Sequence, residues 1–234
     1  MEKNQIFTEI LQNNDMIVFV DTNFFIVPEN INKDQFNEYW IEEIHKLLPN
    51  LCIHESVYDE LVTTDLKRIG SSFKVCYTED LSKNQFDKFK FAVQLLKSVL
   101  GFGFTTKNKN LGEIETLAYM FVQDNHGIIT RDKDVINNLS NTKLHILFKG
   151  EYGVIHFYEL LYLLKCQSAV PKSFLKALFK RYYPKGVKDT TQTSIYIKDF
   201  GKLMGIMENL YEESVSKVNS NTYNFKDTDK MSLV

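Results

Sequence analysis

Five consecutive apolar residues, Met16-Ile17-Val18-Phe19-Val20, stop abruptly at Asp21-Thr22-Asn23. The run is too short for a membrane helix and suits a strand buried on both faces. Such a strand needs structure layered on each side of it, and the rest of the chain supplies the pattern. Leu51-Cys52-Ile53 and Gly127-Ile128-Ile129-Thr130 are similar runs, and residues 144–148 and 154–157 are further strand candidates. Apolar residues recur at helical spacing over 2–13, 34–48, 56–69, 82–100, 111–124, 134–139 and 158–165. Strands alternating with helices of this length predict βαβ units. The expected fold class is therefore α/β, with a central, mostly parallel sheet flanked by helices.

The character changes near Lys165. Residues 171–183 read as one helix, with Pro171 tolerated in its first turn and Pro184 ending it. A second helix is expected over 195–215, and the polar tail from 219 onward is expected to fray. The predicted organisation is an α/β domain over 1–165 and a helical extension over 166–234. No Gly- or Ser-rich linker separates them, so the extension is expected to pack on the domain.

Several classes are excluded early. A hydrophobic fraction of 44% and a charged fraction of 25% are those of an ordinary globular chain. Cys52, Cys76 and Cys166 are odd in number and have no CxxC spacing, which argues against a disulfide framework or a cysteine-based zinc site. The N-terminus has no apolar run of signal-peptide type. The expectation is a cytoplasmic protein with no membrane association.

In an open parallel sheet, ligands bind beyond the C-terminal ends of the strands. Two predicted strands carry an aspartate there: Asp21 after the first, and Asp132 after Gly127–Thr130, with Asp134 two residues on. Glu60 lies in the helix after the second strand, and Glu113 opens the helix leading into the Gly127 strand. Gathering such carboxylates is unfavourable unless a positive charge sits among them. A hard divalent cation such as Mg²⁺ is the usual solution, with oxygen ligands and water. That chemistry suits phosphodiester hydrolysis and needs no histidine. Each acid also has a plainer reading. Asp21 suits a helix cap, Glu113 a first-turn acid, Asp132 a turn and Glu60 a solvated helix face. Asp59 matches Glu60 on charge alone.

These residues resemble a known family, the PIN-domain nucleases, which include the toxin nucleases of bacterial toxin–antitoxin pairs. The segments that carry the resemblance are Ile17-Val18-Phe19-Val20-Asp21-Thr22-Asn23-Phe24, Val57-Tyr58-Asp59-Glu60-Leu61, Gly112-Glu113-Ile114-Glu115-Thr116-Leu117-Ala118 and Ile128-Ile129-Thr130-Arg131-Asp132-Lys133-Asp134. It covers about residues 15–165. It implies a PIN-like three-layer fold and a metal-dependent endoribonuclease using Mg²⁺ or Mn²⁺. Asp21, Glu60, Glu113 and Asp132 would be the catalytic and metal-binding quartet, with Asp134 auxiliary. Thr22, Asn23 and Thr130 would support them by hydrogen bonds. Glu115 would support them too, or face a dimer partner or solvent, because it points about 200° around the helix from Glu113. The resemblance also implies an RNA substrate, an antitoxin or other regulatory partner, and homodimerisation. At 234 residues the chain is longer than compact toxin nucleases, so a larger stand-alone nuclease of phage or defence type stays open. A structure-specific DNA nuclease and a non-catalytic RNA-binding scaffold are the alternatives. A phosphatase with an aspartyl nucleophile is disfavoured, because the expected second Asp is Asn23.

The net charge of −2 conceals a division. Residues 165–202 hold nine basic residues against Asp189 and Asp199. Lys172, Lys176 and Lys180 recur every four residues on one helix face, with Phe174, Leu175, Leu178 and Phe179 opposite. With Arg181 and Lys185 they form a basic stripe suited to RNA phosphates, or a solvated helix face. Tyr182 and Tyr183 are expected either to stack on unpaired bases or to fill the core.

Overall fold

The computed structural model describes residues 1–13, 16–61, 64–100, 111–123, 127–139, 153–189 and 195–224, without the side chains of 64–65, 99–100, 134, 137–138 and 217–224. The chain forms two compact units, and neither is continuous in sequence. One comprises Asp15–Ile26 and Leu48–His156; the other comprises Met1–Asn14, Val27–Leu47 and Phe157–Val234. The expected division at 165/166 was a single cut along the chain. In the compact units, α1 (Gln5–Gln12) and the helical segment over 33–47, here α2, group instead with the C-terminal helices.

The first unit is the α/β part. Its strands are β1 (Val18–Val20), β2 (Leu51–His54), β3 (Lys74–Cys76), β4 (Gly127–Ile129) and β5 (Gly153–Ile155). They form one five-stranded sheet in the order β3-β2-β1-β4-β5, and every pairing is parallel. The helices are α3 (Glu55–Glu60), α4 (Thr64–Gly70), α5 (Lys83–Leu100), α6 (Leu111–Val122) and α7 (Lys133–Leu139). On one face of the sheet Phe19, Cys52, Cys76, Ile128 and Val154 pack with Phe89 and Leu96 of α5, Ile114 and Leu117 of α6, and Val135 of α7. On the other, Ile53 lies beside Leu61, Tyr58 and Gly70 of the α3–α4 region. Burying the central strands on both faces explains why they read as unbroken apolar runs.

One expected helix is broken, one strand forms that was not expected, and one expected strand is untested. The helix expected over 56–69 breaks at Leu61, which is fully buried and extended at ψ 92. Burying Leu61 outweighs helical continuity and leaves Glu60 on the last turn of α3. Strand β3 has no clear apolar run, and only its last residue, Cys76, is buried. The strand expected over 144–148 lies outside the described residues.

The second unit is mainly helical, and several of its aromatic residues pack together in its core. It contains α1, α2, α8 (Phe157–Gln167), α9 (Lys172–Tyr182) and α10 (Phe200–Asn224). A π-helical stretch, Asn37–Glu42, interrupts α2 around buried Trp40. The Trp40 ring lies 5.1 Å from Phe157 and 5.4 Å from Tyr182. Buried Glu159 of α8 accepts hydrogen bonds from Asn4 Nδ2 at 2.9 Å and the Tyr211 hydroxyl at 3.0 Å. The helix expected over 195–215 starts only at Phe200 and runs to Asn224. Its first residues instead form β7 (Tyr196–Ile197), antiparallel to β6 (Val187–Lys188). Among the described residues no helix is long and apolar enough to cross a membrane.

Candidate acidic site

Two strand ends meet where the order of connection reverses. β1 sits between β2, which follows it in the chain, and β4, which comes much later. This reversal opens the crevice that open parallel sheets use for ligands. Asp21 leaves β1 here, its N–H donating to the Ile129 carbonyl at 3.2 Å. Thr130, leaving β4, donates its hydroxyl to Asp21 Oδ2 and accepts the N–H of Asp132 at 2.9 Å. One threonine thereby ties both expected aspartates to the end of the sheet. Asn23 Nδ2 also donates to Asp21 Oδ2, at 3.3 Å. Asp132 caps α7, its Oδ1 accepting from Val135 N–H at 3.3 Å. The side chain of Asp134 lies outside the described residues.

Glu60 and Glu113 reach the region from helices. Glu60 Oε2 accepts from the Thr22 hydroxyl at 2.5 Å, and its Oε1 accepts from Gly112 N–H at 3.1 Å. Only glycine allows this approach at position 112. A Cβ there would lie 2.5 Å from Glu60 Oε1. A glycine in the first turn of a helix, where alanine is intrinsically better by about 1 kcal/mol, was the sequence signal for this contact. Glu115 turns elsewhere. It hydrogen-bonds Ser56, whose hydroxyl is 2.7 Å from Nδ1 of the buried, neutral His54. Burial holds the His54 pKa down at about 4.

The electrostatics single out two acids. Asp21 is 1% exposed, and its Oδ1 has no hydrogen-bond partner among the described residues. Burial pushes its pKa up to about 6 against the pull of Thr130 and Asn23, with the charge of Asp132 adding to the rise. Half-buried Glu113 rises to about 7, first through burial and then through the charges of Glu60, Asp21 and Asp132. These charges couple the four expected acids electrostatically. Their side chains do not form a closed cage, however. Among the described residues no three His, Cys, Asp or Glu side chains converge closely enough to hold a metal ion.

No family model, curated protein or solved structure matches the chain.

The expected RNA-binding residues belong to the other unit. Lys172, Lys176, Lys180, Arg181 and Lys185 are all exposed, and Phe174, Leu175, Leu178 and Phe179 of α9 are buried. The amphipathic reading of α9 holds. Tyr182 is a core residue, its ring 5.0 Å from Phe157. The Tyr183 hydroxyl accepts from Tyr158 N–H at 3.2 Å. Tyr182 therefore fills the core, while the half-buried Tyr183 ring lies 5.8 Å from those of Tyr158 and Phe179.

Proposed function

We propose that the chain is a divalent-metal-dependent nuclease of PIN-like architecture, an endoribonuclease that hydrolyses RNA phosphodiester bonds. The observation that carries this reading is Asp21. A carboxylate is buried at the reversal point of a parallel sheet, one oxygen has no hydrogen-bond partner among the described residues, and the acid acting on it is another carboxylate. A buried charge in that setting is costly unless a cation or proton joins it.

The donor set suits Mg²⁺ or Mn²⁺, because every available group is a hard oxygen. Asp21, Glu113 and Asp132 would hold the ion by closing on it or through bridging waters, since no three acids converge on one point among the described residues, and Glu60 would keep its Thr22 and Gly112 contacts. A bound ion supplies Lewis acidity and an activated water at neutral pH. The protein's own contribution is position. Thr130 and Asn23 fix Oδ2 of Asp21, and Thr130 also fixes the backbone of Asp132. Thr22 and the Gly112 N–H hold Glu60 at the rim, while Glu113 takes its place in the first turn of α6.

Gly112→Ala tests the Glu60 clamp. The group a new Cβ would meet is the end of a flexible side chain, so thermal stability should change by less than about 1 kcal/mol. Cleavage should fall about 10²-fold, as expected for misplacement of an active-site group. Unchanged cleavage would remove Glu60 from the site.

The α9 stripe yields a second test. Charge reversal at Lys172, Lys176 and Lys180 together should weaken binding to single-stranded RNA. It should also flatten the dependence of log K on log salt by about 0.7 per lost phosphate contact. Equal binding and an equal salt slope would leave α9 a solvated face.

A further inference from the structure

The hairpin of β6 and β7 has two faces. Val187 pairs with Ile197 and both are buried; Lys188 pairs with Tyr196 and both are exposed. The period of two sends alternate side chains to opposite faces, so Lys188 and Tyr196 stand side by side on the outward one. Tyr196 is 47% exposed, and its ring meets no aromatic or cationic group among the described residues.

The turn that leads into the hairpin adds charge to this region. Gly186 N–H donates to the Tyr183 carbonyl at 2.8 Å, closing a turn through Pro184 and Lys185. Gly186 has φ +88, and a Cβ on it would lie 2.7 Å from the Ile197 carbonyl oxygen and 3.0 Å from Cγ of Lys198. The Lys198 stem therefore crosses the turn that presents Lys185. The nearby acids are already engaged. Asp189 pairs with the Met1 ammonium at 2.7 Å, and Asp199 caps α10 through Lys202 N–H at 2.7 Å. Lys185, Lys188 and Lys198 are exposed and have no acidic partner among the described residues.

We infer that the outward face of this hairpin is a base-stacking subsite for single-stranded RNA, with Tyr196 as the platform and Lys185, Lys188 and Lys198 as phosphate contacts. The inference rests on the RNA-directed reading above and supplies an exposed aromatic contact, which the core residue Tyr182 does not. A flat ring beside uncompensated cations matches the alternation of base and phosphate along a single strand. Duplex RNA hides its base faces and offers the ring nothing to stack on.

The test uses the full chain carrying Asp21→Asn, in EDTA, so that binding is read without cleavage. The probes are a fluorescein-labelled oligouridylate, a blunt RNA duplex and vesicles containing anionic phosphatidylglycerol. Tyr196→Ala should weaken oligouridylate binding about 5- to 150-fold, the range for loss of one stacked base. Tyr196→Phe should stay within about twofold, and the duplex should show little change. Lys188→Ala with Lys198→Ala should lower the salt slope by about 1.4. Tyr196→Ala binding as tightly as its parent would overturn the subsite. So would an equal loss on duplex, or a loss seen on vesicles alone, which would identify a lipid-facing surface. Cleavage by the unsubstituted chain is scored separately, so failure of the nuclease reading leaves the Tyr196 effect on binding measurable.

Discussion

Asp21→Asn is expected to abolish metal-dependent cleavage and, in the absence of metal, to stabilise the fold. The loss of activity should exceed the 10- to 100-fold typical of a residue that merely supports a metal ligand. The gain in stability follows from burial. Raising the Asp21 pKa from 3.8 to about 6 corresponds to about 3 kcal/mol of penalty above pH 7. Asparagine removes that charge but leaves one amide atom where Oδ1 has no hydrogen-bond partner among the described residues. An unsatisfied buried polar atom costs about 1–3 kcal/mol. The net gain should be about 1 kcal/mol, or a rise in Tm of about 2–4 °C for a chain of this size. Thermal melts in EDTA at pH 7.5 measure it. A clear loss of stability would contradict the burial account of Asp21.

Metal affinity should fall steeply on mild acidification. Asp21 and Glu113 must both be ionised to hold a cation, and burial places their pKa values at about 6 and about 7. Between pH 7.5 and 5.5 the two proton competitions together should weaken Mn²⁺ binding about 100-fold. Carboxylates with ordinary pKa values would give almost no change over that range. Titration calorimetry at the two pH values distinguishes these outcomes.

The same shifts act on the stability of the metal-free protein. Asp21 and Glu113 have folded-state pKa values above their unfolded ones, so their stabilising contribution is full below about pH 4 and is lost as pH rises through about 6 and 7. His54 and His156 act in the opposite sense. Burial lowers both to about 4, so their contribution is full above 6.5 and is lost as pH falls through about 4. Wild-type stability should therefore vary little between pH 4.5 and 6.5. Asp21→Asn, keeping both histidines, should lose stability more steeply on acidification.

The parts of this molecule legible in sequence are those fixed by local contrast. Val18-Phe19-Val20 against Asp21, and Ile128-Ile129 against Thr130 and Asp132, combine a buried strand with a polar end, and both strands and both strand ends form as expected. The amphipathic stripe of α9 was legible for the same reason. Features set by distant partners were not. Strand β3 exists because Val75 has Ile53 to pair with, not because Lys74-Val75-Cys76 favours a strand. The break at Leu61 reflects burial that the helical pattern over 56–69 conceals. The β6–β7 hairpin depends on Gly186 at positive φ, and a helical periodicity over 195–199 masked it. Tyr182 looked available on a basic helix, but the rings of Trp40 and Phe157 claim it. The grouping of α1 and α2 with the C-terminal helices is likewise a matter of long-range contacts.

The proposed metal-dependent RNA cleavage depends on Asp21. The most direct measurement incubates labelled single-stranded RNA and a matched DNA with the unsubstituted chain and with Asp21→Asn, in Mn²⁺ and in EDTA, and maps the products. Internal cuts in RNA are expected from the unsubstituted chain in Mn²⁺ alone, and none from the variant or in EDTA. Cleavage that persists in EDTA or in Asp21→Asn, or no RNA cleavage under any of these conditions, would contradict the proposal.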